Sequence, residues 1–154
     1  DEVYLALGTT IKIAGSQERF RAVDFDANLA VARAAQAAGA RRAGLVSALG
    51  AQARSSVFYS RVKGELEEAL AALGFDALVI ARPSMLRGDR DALGQPERTG
   101  ERLAARLDRL LGPLIPRQLR AIDADDVAAA LARDVPRAQG RVVLTSAAMQ
   151  GAQR

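Results

Sequence analysis

Short apolar runs alternate along this chain with longer stretches in which apolar residues recur every three or four positions. Val3 to Leu7 is the first run and ends in Gly8-Thr9-Thr10, which predicts a strand entering a loop. A helix is predicted from Gln17 to Ala38, with Phe20, Val23, Leu29, Val31 and Ala35 on its inner side and Gly39 as its stop. Ala43 to Val46 is a second buried run, closed by Ser47. A polar loop leads through Ser56 to a helix over Val57 to Leu73, ended by Gly74; Ser55 and Ser56 stand where N-cap residues belong. Ala77 to Ala81 reads as a third strand, broken by Arg82-Pro83. Leu103 to Leu111 and Asp126 to Val135 read as helices, and Val142 to Thr145 as the last strand.

Alternation of short buried strands with long amphipathic helices predicts an α/β fold, a parallel sheet with helices on both faces. Such sheets bind ligands beyond the carboxyl ends of their strands. The residues least suited to a core fall there: Gly8-Thr9-Thr10 after the first strand, Ser47 after the second, Arg82-Pro83-Ser84 after the third. Arg87 to Gly100, rich in Gly, Pro and charge, is the candidate for a mobile loop over that crevice.

Composition narrows the chemistry. The chain has 154 residues, 49% of them hydrophobic, which suits one domain with a core of its own. It has neither cysteine nor histidine, which argues against disulfides, thiol nucleophiles, serine-histidine hydrolysis and the commonest metal sites. The net charge is +4, but the arginines are scattered among acids and aromatic residues make up only 4%, so the sequence argues against a nucleic-acid binder. No apolar stretch approaches the roughly 18 residues of a membrane span, and the first residues show no basic leader. A cytoplasmic protein is the resulting expectation.

The stretch Tyr59-Ser60-Arg61-Val62-Lys63 carries the sharpest chemistry. Four residues apart on a helix, the phenol and the ammonium face the same way. A cation there would stabilise the phenolate, drawing a pKa of about 10 toward neutrality, as a general acid or base requires. Ser47, at the end of the preceding strand, adds a hydroxyl that such a tyrosine could work with. Chance pairs of tyrosine and lysine are common on helices, so the pair gains its meaning from this setting.

With Ser47, Tyr59 and Lys63 in this order, the chain resembles the short-chain dehydrogenase/reductase superfamily. Leu7-Gly8-Thr9-Thr10, Ala14-Gly15-Ser16, Val23-Asp24, Val46-Ser47-Ala48-Leu49-Gly50-Ala51, Ser55-Ser56, Phe58-Tyr59, Val62-Lys63-Gly64-Glu65 and Ala81-Arg82-Pro83-Ser84 look like its atypical subgroup that includes the Tat-interacting oxidoreductase and its bacterial relatives. The resemblance runs from Asp1 to about Ser146. It implies a single domain over residues 1–154 that forms the C-terminal portion of a Rossmann-like NAD(P)-binding fold. No stretch here matches the family's glycine-rich pyrophosphate turn, so by this resemblance the chain would start at the family's fourth strand. Two strand-helix units, about 60 residues at around 30 per unit, would precede it.

The resemblance also implies roles. Tyr59 would exchange a proton with a substrate carbonyl or hydroxyl, Lys63 would lower the tyrosine's pKa and bond the nicotinamide ribose, and Ser47 would orient the substrate oxygen. Ala48 stands where relatives often carry a second serine, and Asp24 lies near the place of a helix asparagine that supports their proton relay. Gly8 and Thr9 would line the ribose side of the cofactor, and Pro83, Ser84 and Leu86 would form the loop whose backbone meets the nicotinamide amide. Arg82 would face the crevice or pair with an acid such as Asp123. The acids of Ala121-Ile122-Asp123-Ala124-Asp125-Asp126 would favour a helix N-terminus.

The function implied is an NAD(P)-dependent oxidoreductase or epimerase-like enzyme that transfers hydride between a nicotinamide and a carbon of a small-molecule substrate. NADP is favoured by the subgroup, with NAD as the alternative. The competing reading is a non-catalytic NADP(H)-binding regulatory or protein-interaction module, to which Ala48 and Asp24 lean. The helices after Gln17 and Val57 are candidates to pair across a homodimer.

Overall fold

The computed structural model of the chain describes residues 1–87, 116 and 119–151. A four-stranded parallel sheet runs in the order β1-β2-β3-β6, formed by β1 (Glu2–Leu5), β2 (Arg42–Val46), β3 (Ala77–Arg82) and β6 (Gly140–Thr145). In register, Val3 lies beside Ala43, Ala43 beside Leu78, and Leu78 beside Arg141. Between the strands come α1 (Ile11–Ala14), α2 (Gln17–Arg21), a π-helical turn over Ala22–Ala27, α3 (Asn28–Ala37) and α4 (Phe58–Ala72). Farther along are the short parallel pair β4 (Leu86–Arg87) and β5 (Ile122–Asp123), then α5 (Ala124–Asp134) and α6 (Ser146–Met149).

Strand alternation sorts the core onto two faces. Ala43 and Leu45 of β2 and Leu78 and Ile80 of β3 pack with Leu5 against Leu29 and Ala32 of α3 and Leu66 and Leu70 of α4. Val79 and Ala81, of opposite parity, pack with Ile122 against Val127, Ala130 and Leu131 of α5, Val135 and Met149. Full burial of each large aliphatic side chain contributes about 1.5–3 kcal/mol. Helices cover both faces of the parallel sheet, as the alternation predicts, and the architecture is a Rossmann-like α/β fold.

Several elements differ from the sequence expectation. The first strand ends at Leu5 instead of Leu7 because the chain leaves the ladder there, and the Leu7 carbonyl accepts a hydrogen bond from Asn28 Nδ2 at 3.0 Å. The single helix expected over Gln17 to Ala38 is a helical run interrupted by the π turn. That wider turn keeps residues four apart in line, so the buried positions on this side include Phe20, Asp24, Asn28 and Ala32, while Val23 and Val31 face outward. α4 starts one residue late, and the residue at its N-cap position is Val57. Ser55 Oγ accepts from the Val57 amide at 3.1 Å, so Ser55 supplies part of the expected capping. The helix predicted over Leu103 to Leu111, and residues 88–100 of the predicted loop, lie outside the described residues.

Candidate active site at the strand ends

The carboxyl ends of β1, β2 and β3 lie side by side, and the loops that leave them are tied to one another. The Ser47 amide donates to the Ala81 carbonyl and the Leu49 amide to the Pro83 carbonyl, each at 2.8 Å. The loop after β1 is held to the π turn, with the Thr9 amide donating to Asp24 Oδ2 at 2.8 Å. Asn28 Nδ2 donates to the carbonyls of Leu7, Val23 and Asp24 and fastens the same junction.

On this frame Gly8, Thr9, Asp24, Tyr59 and Lys63 come together. Lys63 Nζ is 2.8 Å from Asp24 Oδ1, and both side chains are buried. The contact is an ion pair without the alignment of a hydrogen bond, so Asp24 Oδ1, like Asn28 Oδ1, is buried with no hydrogen-bond partner. A Cβ placed on Gly8 would lie 3.5 Å from Asp24 Oδ1 and 3.8 Å from Lys63 Nζ. The glycine therefore leaves open backbone beside the buried cation. α4 can come this close to the loop that precedes it because Gly64 has no side chain: a Cβ there would lie 2.2 Å from the backbone of Gln52 and Ala53.

Tyr59 sits one helical turn before Lys63 on α4. Its ring packs on Phe20, centroid to centroid 5.8 Å, yet 39% of the residue remains exposed. Its pKa differs in direction from the sequence expectation. Burial first, and the Asp24 carboxylate second, push the phenol above its ordinary 10.0. The expected lowering by Lys63 is not seen, for the physical reason that Asp24 neutralises the ammonium and faces the phenol with a negative charge.

Ser47 does not join this group. Strand alternation carries its side chain to the α4 face of the sheet, where Oγ donates to Glu67 Oε1 at 2.6 Å. Glu67, itself buried, also accepts from Arg82 through Nε at 3.0 Å and through its terminal nitrogen at 2.6 Å, and from Arg141 at 3.1 Å. Arg82 thus pairs with Glu67, not Asp123, because its parity is that of Leu78 and Ile80. Neither Glu67 nor Asn28 was singled out in the sequence. Each nonetheless stands at helical spacing among buried positions, Glu67 three or four residues from Lys63, Gly64 and Leu70, and Asn28 four residues from Asp24 and Ala32.

On the third loop, Pro83 is buried, Leu86 is exposed in β4, and Ser84 turns toward α6. Its hydroxyl donates to the Arg120 carbonyl and lies 3.2 Å from Ser146 Oγ. Asp125 and Asp126 occupy the first turn of α5, the helix-favouring place expected of them.

The residues present fit one end of a nicotinamide cofactor. Gly8 leaves room beside the buried Lys63 ammonium and Asp24 carboxylate, where a ribose hydroxyl would meet one donor and one acceptor.

No protein-family model matches the chain. It is 46% identical over 88 residues to "Protein FMP52-1, mitochondrial" of Scheffersomyces stipitis, a match covering 57% of this chain and 39% of that protein. It is 40% identical over 128 residues to "Protein FMP52, mitochondrial" of Candida albicans, covering 82% of this chain and 55% of that protein. "Protein fmp52, mitochondrial" of Emericella nidulans is 46% identical over 86 residues, which cover 56% of this chain and 37% of that protein. The chain spans about half, or less, of the length of these curated relatives. Among solved structures, that of the Bordetella bronchiseptica enzyme WbmG in complex with NAD superposes with a TM-score of 0.54 at 16% identity, covering 94% of this chain and 50% of that one. That likeness shows the fold.

The expectations of a cytoplasmic setting and of bacterial kinship are overturned by these matches, whose proteins are fungal and are named mitochondrial. The cytoplasmic expectation rested on the first residues lacking a leader. In a chain that spans only part of its relatives, those residues say nothing about targeting.

Proposed function

We propose that this chain carries the catalytic side of an NAD(P)-dependent oxidoreductase or epimerase-like enzyme of the short-chain dehydrogenase type. The observation that carries the reading is the grouping of Tyr59, Lys63 and the open backbone of Gly8 at the carboxyl ends of parallel strands. In this reading Tyr59 exchanges a proton with the substrate oxygen from its partly exposed position. Lys63, with Gly8 and Thr9, takes the nicotinamide ribose. Pro83, Ser84 and Leu86 supply the backbone that meets the nicotinamide amide. A bound nicotinamide supplies or removes the hydride. Ser47, whose hydroxyl bonds Glu67, holds the loop in shape. The setting we infer from the fungal relatives is mitochondrial, and NAD is favoured as much as NADP because the matched enzyme structure holds NAD.

Calorimetric titration of NADH and NADPH, on this chain and on longer polypeptides that carry it, tests the reading. Micromolar binding is expected in a form that also holds the pyrophosphate. Tyr59→Phe should keep that binding while turnover of small carbonyls falls by about 10²- to 10⁴-fold, the usual contribution of a positioned proton donor. Unchanged turnover in Tyr59→Phe would sink it.

A second reading, a non-catalytic nicotinamide-binding regulator, is favoured by one observation: Lys63 is neutralised by Asp24 and Ser47 is bonded to Glu67, so two of the three expected catalytic groups are engaged elsewhere. Binding without turnover across a carbonyl and sugar-nucleotide screen would establish it.

A further inference from the structure

We propose that Asp24 is a positioning residue of this site: its carboxylate holds Lys63 and the Gly8-Thr9 turn as one unit, and sets its negative charge against the Tyr59 phenol, until a ligand oxygen arriving over Gly8 takes up the Lys63 ammonium. The inference rests on the reading of Tyr59 and Lys63 given above.

The geometry that supports it is a two-handed carboxylate. Asp24 Oδ2 accepts from the Thr9 amide at 2.8 Å while Oδ1 stands 2.8 Å from Lys63 Nζ. The residue is fully buried and sits in the π turn, a helical irregularity often found at functional sites. Asn28, four residues on, fastens the Leu7 carbonyl to the same turn, so the turn that carries Asp24 cannot shift without moving the loop after β1. Gly8 is the open side: its missing side chain leaves room within 4 Å of both Asp24 Oδ1 and Lys63 Nζ. A hydroxyl placed there meets the cation and the carboxylate together and competes for both.

Charge then bears on how tightly Tyr59 holds its proton. Among the described residues, the Phe20 ring from α2 packs on Tyr59 and the Asp24 carboxylate from the π turn acts on its phenol, while Lys63 stands one turn along the same helix. With Lys63 neutralised, the negative charge of Asp24 favours the phenol over the phenolate. For carbonyl reduction, a bound dihydronicotinamide would supply the hydride, with its electron pair, that the carbonyl carbon takes up. As the C=O π bond broke, the oxygen would take the Tyr59 proton, and the phenolate left behind would regain a proton from solvent. A ligand that loosens the Asp24–Lys63 pair frees the ammonium to stabilise that transient phenolate.

The chain has two tyrosines, and Tyr4 lies away from this site, bonded to Glu2 at 2.8 Å, so Tyr4→Phe leaves Tyr59 as the only phenol. Its ionisation can then be followed by near-ultraviolet absorbance with no cofactor or substrate present. In the Tyr4→Phe protein the midpoint is expected above 10.0. Adding Asp24→Asn should lower it, because a like charge is lost and a cation is freed. Asp24→Glu, which keeps the charge, should restore the higher midpoint. An unchanged or raised midpoint in Asp24→Asn overturns the proposal. Should circular dichroism show that Asp24→Asn does not fold, the Tyr4→Phe protein decides alone, and a midpoint at or below 10.0 overturns it. Failure of nicotinamide binding would instead strike the reading of the preceding section, because this titration uses no nicotinamide.

Discussion

The Lys63 ammonium stands 2.8 Å from the Asp24 carboxylate, with side-chain exposures of only 7% and 1%. A pair buried this deeply is costly to break from one side, because the charge left behind has lost its hydration and has no counter-ion. Lys63→Met is therefore expected to lower stability by about 3–5 kcal/mol in denaturant titration. Asp24→Asn with Lys63→Met removes both charges and should recover most of that loss. If Lys63→Met is as stable as the parent, the pair is not buried in solution.

The second buried carboxylate behaves differently because it has several donors. Ser47→Ala removes the 2.6 Å bond to Glu67 but leaves Arg82 and Arg141 in place, so a loss of about 1–3 kcal/mol is expected, with nicotinamide affinity unchanged. A serine that orients substrate would give the reverse pattern, intact stability with reduced turnover. Measuring both quantities on the one variant separates the two roles.

The sequence made the frame legible because its signals are local. Apolar runs at Ala43 to Val46 and Ala77 to Ala81, separated by an amphipathic stretch ended by Gly74, specify two buried strands and the helix between them within a residue or so. The pairing of Tyr59 with Lys63 on one helix was legible for the same reason. What the sequence did not reveal depends on distant partners. Nothing local at Ser47 or Arg82 says that both meet Glu67; that follows only once the register of β2 and β3 fixes which parity faces α4. Nothing near Lys63 says that its charge is neutralised by a residue 39 positions earlier on a π turn, and a π turn carries no apolar period of its own to announce it.

Alkaline pH should destabilise the fold through its tyrosines. Tyr4 is pushed up to about 12, by partial burial first and then by its bond to Glu2, and Tyr59 is raised as well. In the unfolded chain both phenols lose their protons near 10.0, whereas the folded chain still holds them. The native state thus binds more protons above that pH, and stability falls as pH rises from about 10 toward 12. Melting temperatures across that range should drop, and Tyr4→Phe and Tyr59→Phe should each flatten the slope. A slope that neither variant changes would assign the loss to other groups.

Gly64 offers the test of how tightly the site is built. It follows Lys63 directly, and a Cβ at this position would lie 2.2 Å from the backbone of both Gln52 and Ala53, well inside contact distance. Backbone atoms cannot swing aside as a side chain end can, and the Gln52 amide is bonded to the Ser60 carbonyl at 3.0 Å, so this loop is pinned to α4. Gly64→Ala must either push α4 away from the loop or break that bond. Overpacking of this kind costs about 1–3 kcal/mol, occasionally more, and the loss here is expected at the upper end. Because the displaced helix carries Tyr59 and Lys63, the variant should also weaken the Asp24–Lys63 contact, visible as a lower Tyr59 titration midpoint in the Tyr4→Phe background. A stable Gly64→Ala protein with an unchanged midpoint would mean that α4 and the loop at Gln52 stand farther apart than the fold described here.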